Sequence, residues 1–148
     1  MLNIILQISL TIIIAYFIGA IPTGYLIVKS KTGEDLRTIG SGSTGATNVK
    51  RVLGKKWFFI TLLLDALKGA LPVILAKTFA TAGAHLGLAP VIASIAVIIG
   101  HSKSCFLDFK GGKSVASGVG TILALNFVVG VIIALIWQQL HTQQNMYL

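Results

Sequence analysis

Two short stretches carry most of the residues with chemistry to offer. The first, GSGSTGATN at residues 40–48, sets Gly40, Gly42 and Gly45 among Ser41, Ser43, Thr44, Thr47 and Asn48. Glycines let backbone amides approach a ligand without a Cβ in the way, and the hydroxyl and amide side chains add further donors. No acid lies between Leu36 and Leu64, whereas Arg37, Lys50, Arg51, Lys55 and Lys56 do. A short helix begun by Thr47 or Asn48 and ended by Gly54 would turn free amides and its positive dipole end toward an anion. That is the chemistry of a phosphate-holding loop. The plainer alternative is a flexible turn lying on a membrane surface.

The second stretch is GHSKSCFLDFKGGKSVASGVG, residues 100–120. Its GGKS is not a P-loop, because the glycine required five positions before Gly112 is Leu107. Lys110, Gly111, Gly112, Lys113 and a capping Ser114 instead open an apolar run, a second anion-friendly helix start. His101 could serve as a general base or donor near neutral pH, or as an ordinary donor to a neighbouring carbonyl. A His–Asp pair four residues apart is missing, since Asp108 comes seven residues after His101. The first six residues of the first stretch also spell G-x-G-x-x-G. The run before them is far too long for the strand that a dinucleotide fold needs. Cys105 is the sole cysteine, so no internal disulfide forms.

The elements that must hold these loops are greasy. Of 148 residues, 55% are hydrophobic and 11% charged, with mean hydropathy +0.88; a soluble domain carries about 25% charged residues. Apolar runs of roughly 20 residues cross a bilayer, and four are expected, at residues 4–28, 58–76, 79–100 and 115–137. The fold expected is all-α: one polytopic helical membrane domain with two glycine-rich loops, 29–57 and 101–114. Those loops hold ten of the twelve Lys and Arg residues, which places them in the cytoplasm by the positive-inside bias and both termini outside. The net charge of +8 thus reads as membrane and anion attraction, with no nucleic-acid partner. Trp57 and Trp137 mark span ends. Asp65 and Lys68, three apart on one face of the second span, neutralise one another, as a structural ion pair or as part of the site. His85 and Pro90 make the third span irregular. The N-terminal run, longer than a signal-peptide core and preceded by no Lys or Arg, is expected to remain as a span.

GSGSTGATNVKR, DALKGALP and GH…FLDFKGGKSVA, in this order and spacing, resemble the bacterial acyl-phosphate:glycerol-3-phosphate acyltransferases. The resemblance covers nearly the whole chain. It implies transfer of a fatty acyl group from acyl phosphate to glycerol 3-phosphate at the cytoplasmic (inner) membrane, giving lysophosphatidic acid and phosphate in phospholipid synthesis. The partners implied are those two substrates and membrane lipids; no cofactor and no metal are implied. Ser41 and His101 would act at the reacting centre. Gly40, Gly42, Ser43, Thr47, Asn48, Arg51, Lys110, Gly111, Gly112 and Lys113 would hold substrate and phosphate. An acyl phosphate already has a good leaving group, so positioning and charge stabilisation suffice and direct attack by the glycerol hydroxyl is expected.

The sequence departs from the family pattern at Ser43, where an Asn is usual, and in HSKSCF after the histidine. It also lacks the family's third motif, H-R-x-N-I, which HTQQN at His141–Asn145 does not reproduce. Two alternatives therefore stand beside the enzyme: a small membrane anion-binding or transport protein, and an inactive, shortened remnant of the enzyme.

Overall fold

The computed structural model describes residues 2–79 and 87–144. All regular structure among them is helical: α1 (Leu2–Ala20), α2 (Thr23–Thr32), α3 (Ala46–Leu53), α4 (Lys55–Phe79), α5 (Leu88–Ser102), α6 (Val115–Leu125) and α7 (Phe127–Gln144). Three stretches are long and apolar enough to cross a bilayer: Ile4–Thr32, Lys55–Phe79 and Leu88–Leu107. The helix Val115–Leu125 is apolar but shorter. Outward-facing Leu6, Phe17, Leu63, Leu67 and Ile95 are about half exposed or more, as a lipid-facing surface requires.

Two of the expected spans are not continuous rods. The first, taken as residues 4–28, breaks at Ile21–Pro22 and restarts as α2. Pro22 supplies no amide to the ladder, and its ring opposes helix in the residue before it. The span taken as 115–137 breaks at Asn126, which is extended (φ −151°, ψ 110°). The Asn126 side chain then accepts from the Val129 amide at 3.2 Å, starting α7. The span taken as 79–100 is helical from Leu88; His85 lies outside the described residues.

Packing is by backbone contact. A Cβ on Gly19 would sit 2.2 Å from the Val97 carbonyl oxygen, and one on Gly100 would sit 2.2 Å from that of Tyr16, so α1 and α5 touch main chain to main chain. Gly69 and Gly120 do the same for α4 and α6, against the carbonyls of Ser117 and Ala66. Lipid gives helices no hydrophobic reason to associate, so small residues that allow close van der Waals contact carry the interface. The apolar core between α1, α4 and α5 is Ala15, Ala76, Ala93, Ala96 and Val97.

Loops 29–57 and 101–114 lie on the same end of this bundle. Arg37 binds Asp35 of its own loop at 2.8 Å and Asp108 of the other at 3.1 Å. Its guanidinium also sits 5.6 Å from the centre of the Tyr25 ring. Tyr16 Oη donates to the Lys103 carbonyl at 2.8 Å, and Ser104 Oγ to that of Ala20 at 2.6 Å, fixing the second loop to the end of α1.

Gly100→Val and Gly120→Val should each destabilise the fold by about 3 kcal/mol, the upper end of the usual cost of overpacking, since backbone cannot yield as a side chain can. Gly118→Ala, with nothing within 4 Å of the new methyl, should leave the melting temperature unchanged or slightly raised. Thermal unfolding in detergent measures the contrast.

Candidate functional site

In the loop at residues 40–48, a buried amide holds the backbone in shape. Asn48 Nδ2 donates to the carbonyls of Leu36, Ile39 and Ser43 at 3.2, 2.8 and 3.0 Å, and its Oδ1 accepts from the Ser41 amide at 3.2 Å. Gly40 is left-handed (φ 58°), and a Cβ there would lie 2.3 Å from Asn48 Oδ1. Asn48 therefore holds the loop to itself, with its hydrogen-bonding capacity spent on the main chain. Helix α3 begins earlier than Thr47 or Asn48 would have it: Gly45 occupies the N-cap position and no side chain caps the first turn. Gly54 ends it, as expected (φ 85°).

The second loop is built around His101. Gly111 and Gly112 give their amides to the carbonyls of Ser102 and His101, each at 3.1 Å. A Cβ on Gly112 would lie 2.3 Å from His101 Nε2. These glycines are committed to the backbone, and what they contribute is a close approach to the imidazole. Ser114 stands at the N-cap of α6 in a left-handed conformation (φ 57°), but its side chain does not cap the helix. It donates instead to the Ile98 carbonyl at 3.0 Å. The first turn of α6, like that of α3, is left without a side-chain cap.

Between these two helix starts lies a cleft of about 360 Å³. Ser41, Ser43, Gly45, Ala46, Thr47, Asn48 and Arg51 form one wall. Lys113, Ser114, Val115 and Ala116 form the other, with His101 and Asp65 deeper and Phe58 and Leu62 on the membrane side. Among the described residues neither Arg51 nor Lys113 is in an ion pair, so two cations and two uncapped helix ends share one space. Gly40, Gly42, Lys110, Gly111 and Gly112 do not line it. A second groove of about 320 Å³ between α1, α4 and α5 is lined by residues such as Ile14, Ala15, Pro72 and Ala76 and has no titratable group.

Beneath the cleft is a buried polar knot, of which spacing revealed the Asp65–Lys68 pair and not its other members. Asp65 pairs with Lys68 at 2.9 Å and accepts a hydrogen bond from Thr23 Oγ1. Lys68 also donates to the Ile21 carbonyl at 2.6 Å, one of the groups freed by the break at Pro22. His101 Nδ1 lies 2.8 Å from Ser117 Oγ and 3.8 Å from Asp65 Oδ1. Serine and carboxylate thus meet the same ring nitrogen, whereas a nucleophilic triad puts them on opposite nitrogens. Asp65 is both things the sequence left open, a partner of Lys68 and a wall of the cleft. Thr23 and Ser117 went unnoticed; the break in the apolar run at Pro22 and the serine inside an apolar helix were the available signals.

At the loop surface the Arg37 guanidinium holds the Asp35 carboxyl down to about 2. Asp35 in turn pushes Arg37 upward. A depressed carboxylate contributes above its ordinary range and is lost as pH falls through the folded value. The Asp35–Arg37 pair accordingly persists until about pH 2.

The sequence matches the family described as glycerol-3-phosphate acyltransferase over residues 9–145. The chain belongs to that family. It is 46% identical to a glycerol-3-phosphate acyltransferase of Nostoc sp., with 80% of this chain and 58% of the relative covered. It is 44% identical to one of Gluconobacter oxydans, covering 88% and 61%. Among solved structures, PlsY, an integral membrane glycerol 3-phosphate acyltransferase, superposes in its glycerol 3-phosphate form with a TM-score of 0.82 at 37% identity. That match covers 92% of this chain and 66% of PlsY. The chain thus spans about 58% of the length of the first of these relatives.

Asn48→Ala would strand the Ser43 carbonyl and the Ser41 amide, at about 1–3 kcal/mol for each group that finds no water, whereas the Leu36 and Ile39 carbonyls keep the amides of Ile39 and Gly42. Asn48→Asp should be no better, because a carboxylate cannot donate to carbonyls. Hydrogen exchange and thermal unfolding are the check: the amide of Ser41, which donates to Oδ1, should lose protection in Asn48→Ala, both variants should melt lower, and amides in the middle of α5 should keep their protection.

Proposed function

We propose that this chain carries the phosphate-binding core of an enzyme that transfers a fatty acyl group from acyl phosphate to glycerol 3-phosphate, releasing lysophosphatidic acid and phosphate. One observation carries the reading. Two uncapped helix starts, with Arg51 and Lys113, which are in no ion pair among the described residues, face each other across a cleft whose third side is the apolar Phe58 and Leu62. A phosphorylated, acylated molecule has the matching character. PlsY, which superposes on the chain, has been solved in glycerol 3-phosphate and lysophosphatidic acid forms, and this supports the same substrate class here.

Within that proposal the amides at Ala46, Thr47, Val115 and Ala116 and the side chains of Ser41, Ser43, Thr47, Arg51 and Lys113 hold phosphate oxygens. Gly40, Gly42 and Asn48 shape the first loop, and Gly111 and Gly112 seat His101. Lys110 adds positive charge outside the cleft. The glycerol hydroxyl oxygen attacks the acyl carbonyl carbon. The new ester C–O bond forms as the bond to the phosphate oxygen breaks, and phosphate departs. The hydroxyl proton passes to a phosphate oxygen or to His101. Because Ser117 and Asp65 both approach Nδ1, Ser117 is not set up as a triad nucleophile, and the transfer is direct. The helices form one membrane domain in the bacterial cytoplasmic membrane. The basic loops face the cytoplasm, where the soluble acceptor is found.

Purified chain in detergent should release phosphate from palmitoyl phosphate only when glycerol 3-phosphate is present, with lysophosphatidic acid as the second product. Arg51→Ala and Lys113→Ala should each lower kcat/KM at least about tenfold, the loss expected for a charge-assisted contact to phosphate. Equal turnover with acyl-CoA as donor, or phosphate release independent of the acceptor, would exclude the assignment.

A further inference from the structure

Lys31, Lys50, Lys55 and Lys56 meet at the head of α4, and among the described residues none of them is in an ion pair. Lys31 Nζ lies 5.1 Å and Lys56 Nζ 6.0 Å from the centre of the Trp57 ring. Lys50 Nζ lies 5.7 Å from that of Phe58. Trp57 is itself anchored, packing on Val28, Leu36 and Val49. Three helices, α2, α3 and α4, thus deliver ammonium groups to two aromatic rings at the membrane end of the bundle.

This gathering is electrostatically unfavourable on its own. Lys55 and Lys56 are the first residues of α4, whose first turn has no acid, and a cation at a helix start opposes the dipole. Like charges collected against the local preference, with no carboxylate in ion-pair contact among the described residues, call for an anion from outside the chain. The surface next to them says which kind. Phe59, Leu63 and Leu67 follow at four-residue intervals on α4 and are 61%, 60% and 55% exposed. Together they form an apolar strip leading from the lysines toward the bilayer interior. A cationic head above a hydrocarbon strip is complementary to an amphiphile, and neither a soluble anion nor a nucleic acid would use the strip.

We infer that the lysine collar around Trp57 is a binding site for one anionic phospholipid, its phosphate between Lys31 and Lys56 and an acyl chain along Phe59, Leu63 and Leu67. The site adjoins the cleft at Phe58, but Lys31, Lys55, Lys56 and Trp57, which would hold the phosphate, do not line the cleft. It does not depend on acyl transfer.

Native mass spectrometry of the purified full chain, titrated with phosphatidylglycerol or phosphatidylcholine of equal chain length, tests it. Phosphatidylglycerol should give a saturable single adduct that phosphatidylcholine does not match. A lysine near a phosphate surface contributes about fivefold in affinity, so Lys31→Gln with Lys56→Gln should weaken that adduct roughly 25-fold. Lys31→Arg with Lys56→Arg should retain it, as should Lys103→Gln, which alters net charge on the other loop. Equal retention of the two lipids, an unaffected double glutamine variant, or an equal loss in Lys103→Gln would each overturn the site.

Discussion

A carboxylate inside a bilayer persists when its charge is matched and its oxygens are used, and Asp65 meets both conditions through its neighbours. Lys68 matches the charge at 2.9 Å, Thr23 donates from the restarted first span, and His101 stands 3.8 Å away on α5. Removing an ion from water into low dielectric costs several kcal/mol, which good geometry and filled hydrogen-bonding positions must offset. The geometry is met here by residues on α2, α4 and α5, so satisfying this one charge fixes how those helices meet. Ser117 brings in α6 through the imidazole. The cleft stands on that junction.

The helix breaks follow a common logic. A break frees carbonyls on one side and amides on the other, and in lipid neither can be left to water. The freed carbonyls are satisfied by lysines from α4. Lys68 reaches the Ile21 carbonyl at 2.6 Å, and Lys77 reaches those of Ala124 and Leu125 at 2.6 and 2.7 Å. The amide ends of α3 and α6 receive no side-chain cap and open into the cleft. The carbonyl ends at these two breaks are thus closed within the protein, while the starts of α3 and α6 bring hydrogen-bond donors to the cleft.

The long apolar runs and the basic loops were legible in the sequence, because bilayer thickness and charge asymmetry act over many residues and leave a coarse signal. The breaks at Pro22 and Asn126 were not, since a hydropathy window sees the same aliphatic composition on both sides. Residue type also does not say where a group's hydrogen bonds go. Asn48, Gly111 and Gly112 were expected among the groups that hold phosphate, and in the structure their hydrogen bonds go to the backbone. Ser114 looks like a helix cap and instead reaches Ile98. A loop that must hold a ligand without rearranging needs internal donors as well as ligand-facing ones, and both are drawn from the same residue types. Only the fold separates them.

That separation bears on the chemistry. With the loop backbone fixed by Asn48 and the imidazole fixed by Gly112, Ser117 and Asp65, the groups left over at the cleft surface are main-chain amides, hydroxyls, Arg51 and Lys113. Such groups stabilise negative charge and supply no strong nucleophile. They suit a reaction whose substrate already carries its leaving group, in which catalysis consists of bringing two phosphorylated molecules together and holding the charge that builds on oxygen. The third side of the cleft is apolar: Phe58 and Leu62 sit about one helical turn apart on α4 and line it, a surface that suits a hydrocarbon chain attached to one of those molecules.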